Sequence, residues 1–535
     1  MKRSKLPIGI QTFQKVREEG RYYVDKTAFV RELLAQGDHF FLSRPRRFGK
    51  SLFLDMLKEL FEGNEALFQG LDIHDDWDWS VQTPVVRLDF SGDDFSHPQQ
   101  LNLNLLVQLE TQASNHGIPI RHEVATHRFE HLLRTLHAKS GRRVVVLVDE
   151  YDQAILNTLN NPSVASAHRE FLRGFYSVIK FAEAHIEFSF ITGVSKFAKV
   201  SLFSGLNNLI DITLDPSFSS ICGYTESDLE SVFTAELTGL DRNAIREWYN
   251  GYSWLGEEKV YNPFDILLLL SNHQFRPYWL DTGTSKFLVE TLFQRQLSLA
   301  NFDGALINPN KLSAFDIDAI APEALLFQTG YLTINSQEQR AGRTYYRMGY
   351  PNREVREGLN RDFLDYLVGN TTDSNTYSIQ IYDVLQADSP KDLEIIMRAF
   401  FASIPYQWYT KNDIANYEGF YAAVFYSFMA GVGMDLSAED STNKGSIDLS
   451  LTVENRVYVF EFKVVEQSGE GTSMDQLKSR NYSQMYRTSN TAVTLIGVEF
   501  SSEQHNVVSM SIERTLPSKS LNEFHPLVLR IGSKS

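Results

Sequence analysis

Residues 40–51 read Phe-Phe-Leu-Ser-Arg-Pro-Arg-Arg-Phe-Gly-Lys-Ser, an apolar run followed by a basic turn. Gly49, Lys50 and Ser51 match the second half of a phosphate-binding loop. In such a loop backbone amides and the lysine contact phosphate, and the hydroxyl binds Mg²⁺. Arg44 stands where the pattern has its first glycine, so the match is partial. The stretch predicts a strand, a nucleoside triphosphate site and then a helix; the alternative is an ordinary basic turn.

Two acids complete this pattern farther along the chain. Asp149 and Glu150 follow the apolar run Val-Val-Val-Leu-Val at residues 144–148. Such a run is typical of a buried parallel strand, and ligands of open α/β sheets bind at the carboxyl ends of strands. We expect Asp149 in the Mg²⁺ shell and Glu150 as the carboxylate that polarises the attacking water. The alternative is a plain polar strand end.

Charge is unevenly distributed around the predicted phosphate loop. Residues 1–50 hold twelve Lys and Arg but five Asp and Glu, although the whole chain has a net charge of −16. Arg46 and Arg47 lie next to Lys50 in sequence, and we predict that both contact the nucleotide. Net acidity argues against a non-specific DNA coat, but it leaves room for a local basic groove.

A hydroxyl is expected at the end of the strand that lies beside the acids. Thr192 closes the apolar run at residues 186–191 and is predicted to orient the attacking water or to touch the γ-phosphate. Ser195 is the second choice for this role. The alternative is a threonine that caps the turn before Gly193.

Strand-like and helix-like segments alternate in the first part of the chain, which predicts right-handed crossovers and a parallel sheet. We expect residues 85–90 to form an extra strand that separates the strand of the phosphate loop from the strand of the acids. The predicted strands are 39–43, 85–90, 144–148 and 186–191, and the predicted helices are 51–61, 101–114, 127–139 and 166–183.

Length and composition set the limits of the fold. The 535 residues are too many for a single core and suggest about two to four domains. Hydrophobic residues make up 43% and aromatic residues 13%, as in globular proteins. Apolar runs are too short to cross a membrane. The single cysteine, Cys222, excludes an intramolecular disulfide and predicts a buried thiol in a cytoplasmic protein.

A second group of charged residues lies near the carboxyl end. Asp448 and Glu461 are predicted on adjacent strands of a hairpin, and Lys463 shares a face with Glu461 because side chains alternate along a strand. Two converging carboxylates suit Mg²⁺, and a lysine beside them can orient water or neutralise phosphate. Glu418, on a preceding helix, is expected to reach the same metal directly or through water. The alternative is a surface ion pair.

A helix after this hairpin supports a metal-dependent phosphodiesterase site rather than an ion pair. This helix carries Gln476 and leads to Tyr482.

We predict four regions: a P-loop core at 1–215, a helical lid at 216–295, a mixed connecting region at 296–380 and a nuclease-like domain at 381–535. Aromatic clusters at 248–252, 260–264 and 278–283 are interpreted as lid core, 331–348 as a small β element and 369–375 as the best linker.

The chain resembles bacterial proteins that join an AAA-ATPase-like domain to a carboxyl-terminal PD-(D/E)XK nuclease domain. Arg44 is usual in that family, whereas Ser446 stands where its members often have arginine. The matches extend over about residues 7–283 and 416–500. The stretches that carry them are 23–27, 44–51, 148–152, 191–197, 203–209, 248–252 and the set Asp448, Glu461 and Lys463.

This resemblance implies an α/β fold with a restriction-endonuclease-like second domain. It also implies ATP and Mg²⁺ at Lys50, Ser51, Asp149 and Glu150. In the second domain it implies a metal at Asp448 and Glu461, with Lys463 as a catalytic residue.

Three functions compete. The first is an ATP-controlled nuclease that acts on nucleic acid, with DNA preferred over RNA. The second is a nucleotide-dependent switch or scaffold that binds nucleic acid or protein without cutting. The third, a helicase-like motor, is weaker because the sequence has no second motor domain. The oligomeric state is left open, with a homo-oligomer as one alternative. The candidates for an arginine finger are Arg46, Arg47, Arg169 and Arg173.

Overall fold

The computed structural model describes most of the chain. The described residues are 4–92, 95–119, 122–196, 208–282, 286–295, 297–312, 321–368, 371–404, 418–442, 445–465, 472–480 and 492–515. Tyr482 and residues 203–207 of the family motif lie outside these ranges. The chain divides into two compact units, residues 1–282 with 304–352 and residues 283–303 with 353–535. The four-region division at 215, 295 and 380 stays a prediction.

Helices and strands alternate through the first part of the chain, as the sequence predicts. The chain forms α1 (Phe13–Glu18), α2 (Ala28–Gln36), β1 (His39–Ser43), α3 (Lys50–Phe61), β2 (Val85–Asp89), α4 (Pro98–Asn115), α5 (Ala125–Ser140), β3 (Val144–Asp149), α6 (Gln153–Leu156), α7 (Pro162–Phe181), β4 (Ile186–Gly193) and β5 (Ile210–Asp211). All eight predicted segments in this region are confirmed, with ends that differ by a few residues.

The next part is mainly helical, with two small β elements. It comprises α8 (Glu226–Val232), α9 (Arg242–Tyr249), β6 (Asn250–Tyr252), β7 (Val260–Tyr261), α10 (Pro263–Asn272), α11 (Lys286–Gln294), β8 (Leu306–Ile307), α12 (Pro309–Leu312), α13 (Pro322–Thr329), β9 (Thr333–Arg340) and β10 (Arg343–Gly349). Helix α11 belongs to the second unit and the others to the first. The antiparallel pair β9–β10 confirms the predicted β element at 331–348.

The second unit continues with helices and then a sheet. Its elements are α14 (Arg353–Val368), α15 (Thr371–Gln386), α16 (Leu393–Ser403), α17 (Glu418–Gly431), β11 (Asp435–Thr442), β12 (Gly445–Val453), β13 (Arg456–Val465), α18 (Thr472–Arg480), β14 (Ala492–Ser501) and β15 (Asn506–Thr515). The linker predicted at 369–375 is wrong for its described residues, because α15 begins at Thr371. Thr, Asp, Ser and Asn suit the start of a helix as well as a loop.

The main sheet of the first unit is parallel, with the strand order β2-β3-β4-β1-β5. One strand does separate the phosphate-loop strand from the acid strand, but it is β4 rather than the predicted strand at 85–90. Strand β2 carries Arg87 and Asp89, both partly exposed, and these suit an edge position. Strand β4 is almost entirely buried and occupies the centre.

Aromatic residues of the clusters interpreted as lid core are buried in the first unit, and their assignment to a lid stays a prediction. Tyr249, Tyr261 and Tyr278 are buried together with aliphatic residues of α8 and α10. Trp248 packs at the edge of the same cluster. Their burial accounts for the high aromatic content of this region, since each aromatic side chain removes a large apolar area from water.

The second unit contains a mixed sheet with the order β11-β12-β13-β14-β15, in which only the pair β13–β14 is parallel. Helix α17 covers one face, where the ring of Phe425 lies 4.9 Å from Phe460 and 5.2 Å from Phe462. Helix α18 covers the other face through a cluster that includes Val459 and Leu477. Among the described helices of the chain, none combines the length and the apolar character needed to cross a bilayer.

Candidate nucleotide and metal sites

The phosphate loop connects the buried strand β1 to α3, which begins at Lys50. Gly49 adopts a left-handed conformation with φ 94°, and Arg47 has φ 69°. A positive φ is uncommon for a residue with a side chain, and such strain concentrates at functional sites. The loop therefore presents the first turn of α3, whose amides have no partners within the helix, as a place for an anion.

Lys50 is held inside its own loop. Its side chain is buried, and Nζ donates hydrogen bonds to the carbonyl oxygens of Arg44 and Pro45, both at 3.0 Å. The ammonium group thus lies at the mouth of the turn that the sequence assigns to phosphate. A phosphate oxygen offers the same ammonium a charged acceptor, which makes a stronger hydrogen bond than a carbonyl.

A cavity of about 350 Å³ opens beside this loop, a volume within the usual range for small-molecule sites. The lining includes the predicted nucleotide contacts of the loop together with Glu150. The loop residues are Arg46, Arg47, Gly49, Lys50 and Ser51. Apolar and aromatic residues of the lining suit a planar ring; they include Ile10, Tyr23, Val24, Tyr224, Phe264 and Leu267.

Glu150 lines the cavity, but Asp149 and Thr192 do not belong to its described lining. Asp149 is 1% exposed, and its Oδ1 accepts a hydrogen bond from Thr192 Oγ1 at 2.8 Å. Arg87 Nη2 lies 3.7 Å from the other oxygen of Asp149. Asp149 is therefore oriented by neighbours on both sides. Thr192 contacts this acid, and its predicted contact with water or γ-phosphate stays a prediction.

Glu150 has the properties expected of a general base. Its φ of 50° is left-handed, a strained backbone conformation of the kind that concentrates at functional sites. Burial raises the pKa of the Glu150 carboxyl, and the nearby Lys50 ammonium opposes that rise. A raised pKa makes the Glu150 carboxylate a better proton acceptor near neutral pH.

Asp152 is a buried acid that the sequence analysis left without a role. Its carboxylate accepts hydrogen bonds from the backbone nitrogens of Val194 and Ser195 and from the Ser195 hydroxyl. Burial raises the pKa of Asp152, whereas these hydrogen bonds lower it. Asp152 thus ties the end of β4 to the turn that follows Glu150. A second acid two residues after Glu150 was the sequence signal for this role.

Gly193 allows this close approach. A Cβ atom at position 193 would lie 2.5 Å from both Asp152 Oδ1 and the Tyr151 ring. The Tyr151 amide also donates to the Thr192 carbonyl at 3.0 Å. The ends of β3 and β4 are therefore joined by backbone and side-chain contacts that leave no space for a larger residue.

Arg44, which interrupts the phosphate-loop pattern, points away from the cavity. Its guanidinium is fully buried and donates to the carbonyls of Ser43, Thr213 and Phe218 at 2.9–3.0 Å. It also lies 4.1 Å from the ring centroid of Trp254. Burial lowers the pKa of Arg44 to about 10. The side chain therefore joins the phosphate loop to the segment that follows β5.

The other arginines considered for the nucleotide site fall into two groups. Arg46 and Arg47 line the cavity; Arg47 lies 5.1 Å from the Phe264 ring centroid, and Arg46 donates to Gln153 at 3.4 Å. Arg169 and Arg173 lie on α7, where both form ion pairs with Glu170. Arg46 and Arg47 therefore belong to the lining of the cavity, and their contact with a nucleotide stays a prediction. Cys222 is buried, as predicted.

The second unit brings the predicted metal residues onto one face of its sheet. The antiparallel pairing of β12 and β13 runs from Val453↔Arg456 to Leu449↔Phe460, and Asp448 and Glu461 are the next residues on each strand. Opposed residues of an antiparallel pair share a face. Asp448 Oδ2 also accepts a hydrogen bond from the Phe462 amide at 2.8 Å.

Helix α18 lies against this face. Glu461 is fully buried, and the side-chain amide of Gln476 donates to Glu461 Oε1. Lys463 is two residues farther along β13 and shares the face of Glu461, since side chains alternate. The hairpin and the helix with Gln476 therefore form as predicted. Tyr482 lies outside the described residues.

Helix α17 covers the opposite face, but its first turn lies at the same end of the sheet. The ring of Tyr421 stacks on Phe500 with centroids 4.1 Å apart, and Phe500 pairs with Val464. The side chain of Glu418, the first residue of α17, lies outside the described residues. Its role as a metal ligand stays a prediction.

The two carboxylates suit a hard divalent cation. Mg²⁺ binds to one or two protein carboxylates and completes its shell with water and substrate phosphate. Among the described residues, no group of three or more His, Cys, Asp or Glu side chains is placed to hold a metal.

Glu499 is a further acid of this face that the sequence analysis missed. It lies on β14, pairs with Lys463 in the parallel register and is fully buried. The sequence signal was a single acid within the apolar run at residues 492–500.

The fold and these two sites define a protein with a P-loop-type α/β unit and a nuclease-like α/β unit. Residues 7–203 match a family described as predicted AAA-ATPase, and residues 416–510 match the PD-(D/E)XK nuclease superfamily. An uncharacterized protein in the vnfD 5' region of Azotobacter chroococcum mcd 1 is 49% identical over 514 residues, which are 96% of this chain and 99% of the relative. The chain belongs to the family that combines these two domains, and the predicted resemblance is confirmed.

Proposed function

We propose that the protein binds and hydrolyses ATP and thereby controls a Mg²⁺-dependent nuclease in its carboxyl-terminal unit. The observation that carries the proposal is that Lys50, Ser51 and Glu150 line one cavity. A phosphate-binding lysine, a hydroxyl for Mg²⁺ and a carboxylate of raised pKa are the groups that ATP hydrolysis requires. The second unit supplies the other half of the proposal with Asp448, Glu461 and Lys463.

In the first unit each group has a defined task. Lys50 and the first turn of α3 bind the triphosphate, with Arg46 and Arg47 as further cations and Gly49 allowing the turn. Ser51 and Asp149 hold Mg²⁺, and Thr192 keeps Asp149 in its orientation. Glu150 accepts the proton of the attacking water. The apolar wall of the cavity excludes water from the base of the nucleotide.

In the second unit Asp448 and Glu461 hold the metal, with Glu418 as a further ligand. Bound Mg²⁺ supplies Lewis-acid stabilisation of a phosphodiester and lowers the pKa of water. Lys463 orients the attacking water or neutralises the charge that develops on phosphate. Without a metal, the carboxylates of this face would repel the phosphates of nucleic acid. Binding of the substrate and binding of the metal therefore depend on one another.

We propose DNA rather than RNA as the substrate and a cytoplasmic location, where ATP and Mg²⁺ are both present. A homo-oligomer would place an arginine of one copy against the nucleotide of another, and Arg169 or Arg173 could serve that purpose.

The proposal is tested with purified full-length protein and end-labelled DNA and RNA, with and without ATP, at a fixed excess of Mg²⁺ or Mn²⁺. We expect metal-dependent cutting by the parent and none by Lys463→Ala. The variant Lys478→Ala is a matched control, because Lys478 lies on α18 in a half-exposed ion pair with Glu513. Binding without cutting of any substrate would overturn the nuclease and leave the nucleotide-dependent scaffold.

A further inference from the structure

Glu499 lies on the face of the sheet that carries Glu461 and Lys463. In the parallel pair β13–β14, Glu461 is opposite Gly497 and Lys463 is opposite Glu499. Glu499 is fully buried, and an ionised carboxylate is costly to bury unless hydrogen bonds or charges compensate it. Its partner in the register is the proposed catalytic lysine, and the proposed metal ligand Glu461 lies two residues earlier on β13.

The Glu499 carboxylate contacts two hydroxyl residues. Oε2 accepts a hydrogen bond from Ser509 Oγ at 2.9 Å, across the pair β14–β15. Oε1 accepts from the backbone nitrogen and hydroxyl of Ser473 at 3.4 and 3.5 Å. Ser473 is the second residue of α18 and is 1% exposed. A carboxylate at the start of a helix is stabilised by the helix amides, so Glu499 anchors the first turn of α18.

Gly497 allows α18 to approach this closely. A Cβ atom at position 497 would lie 2.6 Å from Ser473 Oγ and 2.8 Å from the Met474 amide nitrogen. Helix α18 therefore rests directly on β14 beside Glu499. One turn later the same helix places Gln476 on Glu461. The position of Gln476 thus depends on how the first turn of α18 is held.

We propose that Glu499 is a positioning residue of the metal site, an inference that rests on the proposed nuclease function. Glu499 fixes α18 through Ser473, and α18 fixes the carboxylate of Glu461 through Gln476. Glu499 also places a carboxyl group opposite Lys463 in the strand register. Groups that orient the ligands of a metal site change metal affinity when they are lost, often about 10–100-fold.

The test compares the parent with Glu499→Gln in the full-length protein. Mn²⁺ binding is measured by titration calorimetry without nucleic acid, and Mg²⁺ dependence is measured by cutting of labelled DNA. We expect Glu499→Gln to bind Mn²⁺ about 10-fold more weakly and to need correspondingly more Mg²⁺ for half-maximal cutting. Ser509→Ala, which removes one hydrogen bond to Glu499 and keeps the charge, should shift both quantities in the same direction by a smaller factor.

Two controls separate positioning from general damage. Glu513→Gln removes another acid that contacts α18, through the exposed ion pair with Lys478, and should bind Mn²⁺ like the parent. Val507→Ala removes a fully buried apolar side chain from β15 and leaves the cluster under α18 unchanged, so it should lower the melting temperature without weakening Mn²⁺ binding.

Failure of the Glu499 inference can be distinguished from failure of the proposed nuclease function. A parent that binds Mn²⁺ and a Glu499→Gln variant that binds it equally well would overturn the inference alone. A Val507→Ala variant that loses as much Mn²⁺ affinity as Glu499→Gln would also overturn it. A parent that binds no Mn²⁺ and cuts no nucleic acid would overturn the nuclease function and the inference together.

Discussion

Thr192 donates a hydrogen bond from Oγ1 to Asp149 Oδ1 at 2.8 Å, which joins the ends of two adjacent parallel strands. Both residues are buried. The hydroxyl therefore orients the acid that we assign to Mg²⁺. If Asp149 holds Mg²⁺ as we propose, this contact gives Thr192 a part in the nucleotide site although it does not belong to the described lining of the cavity.

The first prediction concerns this hydrogen bond. Thr192→Val keeps the shape of the side chain and removes the donor, so Asp149 should lose its orientation. We expect the Mg²⁺ concentration for half-maximal ATP hydrolysis to rise about 10-fold, as for other groups that orient metal ligands. Thr192→Ser keeps the hydroxyl and should behave like the parent. Equal Mg²⁺ requirements in the valine variant and the parent would contradict the assignment.

The second prediction separates nucleotide binding from hydrolysis. Lys50→Ala should abolish tight ATP binding, because it removes the cation that the loop presents to the β- and γ-phosphates. Glu150→Gln should keep binding and lose hydrolysis, since only the water-polarising carboxylate changes. ATP binding is measured by calorimetry and hydrolysis by phosphate release. Lys58→Ala is the control, because Lys58 lies on the same helix in ion pairs with Glu59 and Glu62; a loss of binding in that variant would show a general effect on α3.

The third prediction concerns pH. Burial raises the pKa of Glu150 and the Lys50 ammonium opposes that rise, so the ionised form appears at higher pH than in a free glutamate. Glu150 accepts a proton only in its ionised form. The pH dependence of kcat/KM reports the pKa of this group in the free enzyme. We expect kcat/KM for ATP hydrolysis to rise with pH, with a midpoint above the ordinary glutamate value of about 4.3. A midpoint at or below that value would contradict the assignment of Glu150 as the base.

The fourth prediction concerns the contact between the ends of β3 and β4. Gly193→Ala places a Cβ atom against Tyr151 and Asp152, and overpacking of this kind costs about 1–3 kcal/mol. Gly174 lies within α7 with open space around it, so Gly174→Ala should stabilise the protein by about 0.5–1 kcal/mol. Calorimetry measures the melting temperature of the unfolding transition that ATP binding shifts. An unchanged transition in Gly193→Ala would show that β4 can move away from Asp152.

The fifth prediction joins the two units. Nuclease rates of the parent and of Glu150→Gln are compared with ATP, with ADP and without nucleotide, at a fixed excess of Mg²⁺ so that chelation cannot mimic control. If ATP favours the cutting-competent state by about 1–3 kcal/mol, activity changes roughly 5–150-fold. Lys463→Ala is the inactive control. Equal rates in the three nucleotide states would leave an ATPase and a nuclease without a switch.

Local patterns in the sequence predict the strands and helices that carry the candidate residues, because each pattern is continuous along the chain. The β1 strand, the basic loop and α3 are continuous, and so are β13 and its Glu461 and Lys463. The order of strands was harder to predict. Both β2 and β4 are short apolar runs, so the sequence does not distinguish their positions in the sheet. The central position belongs to the strand that is covered on both faces. Arg87 and Asp89 are partly exposed, and β2 accordingly lies at the edge.

The sequence by itself determined the chemical groups of each candidate site and the strand and helix periods that place Asp149 and Glu150 at a strand end and Glu461 and Lys463 on one face of β13. The tertiary structure alone decided which distant groups meet: Thr192 with Asp149, Asp152 with Ser195, Gln476 with Glu461, and Glu499 with Ser473. The physical reason is that a period of two or 3.6 residues sets the direction of a side chain within one element. Contacts between elements depend on the packing of whole faces and on residues such as Gly193 and Gly497 that let them approach.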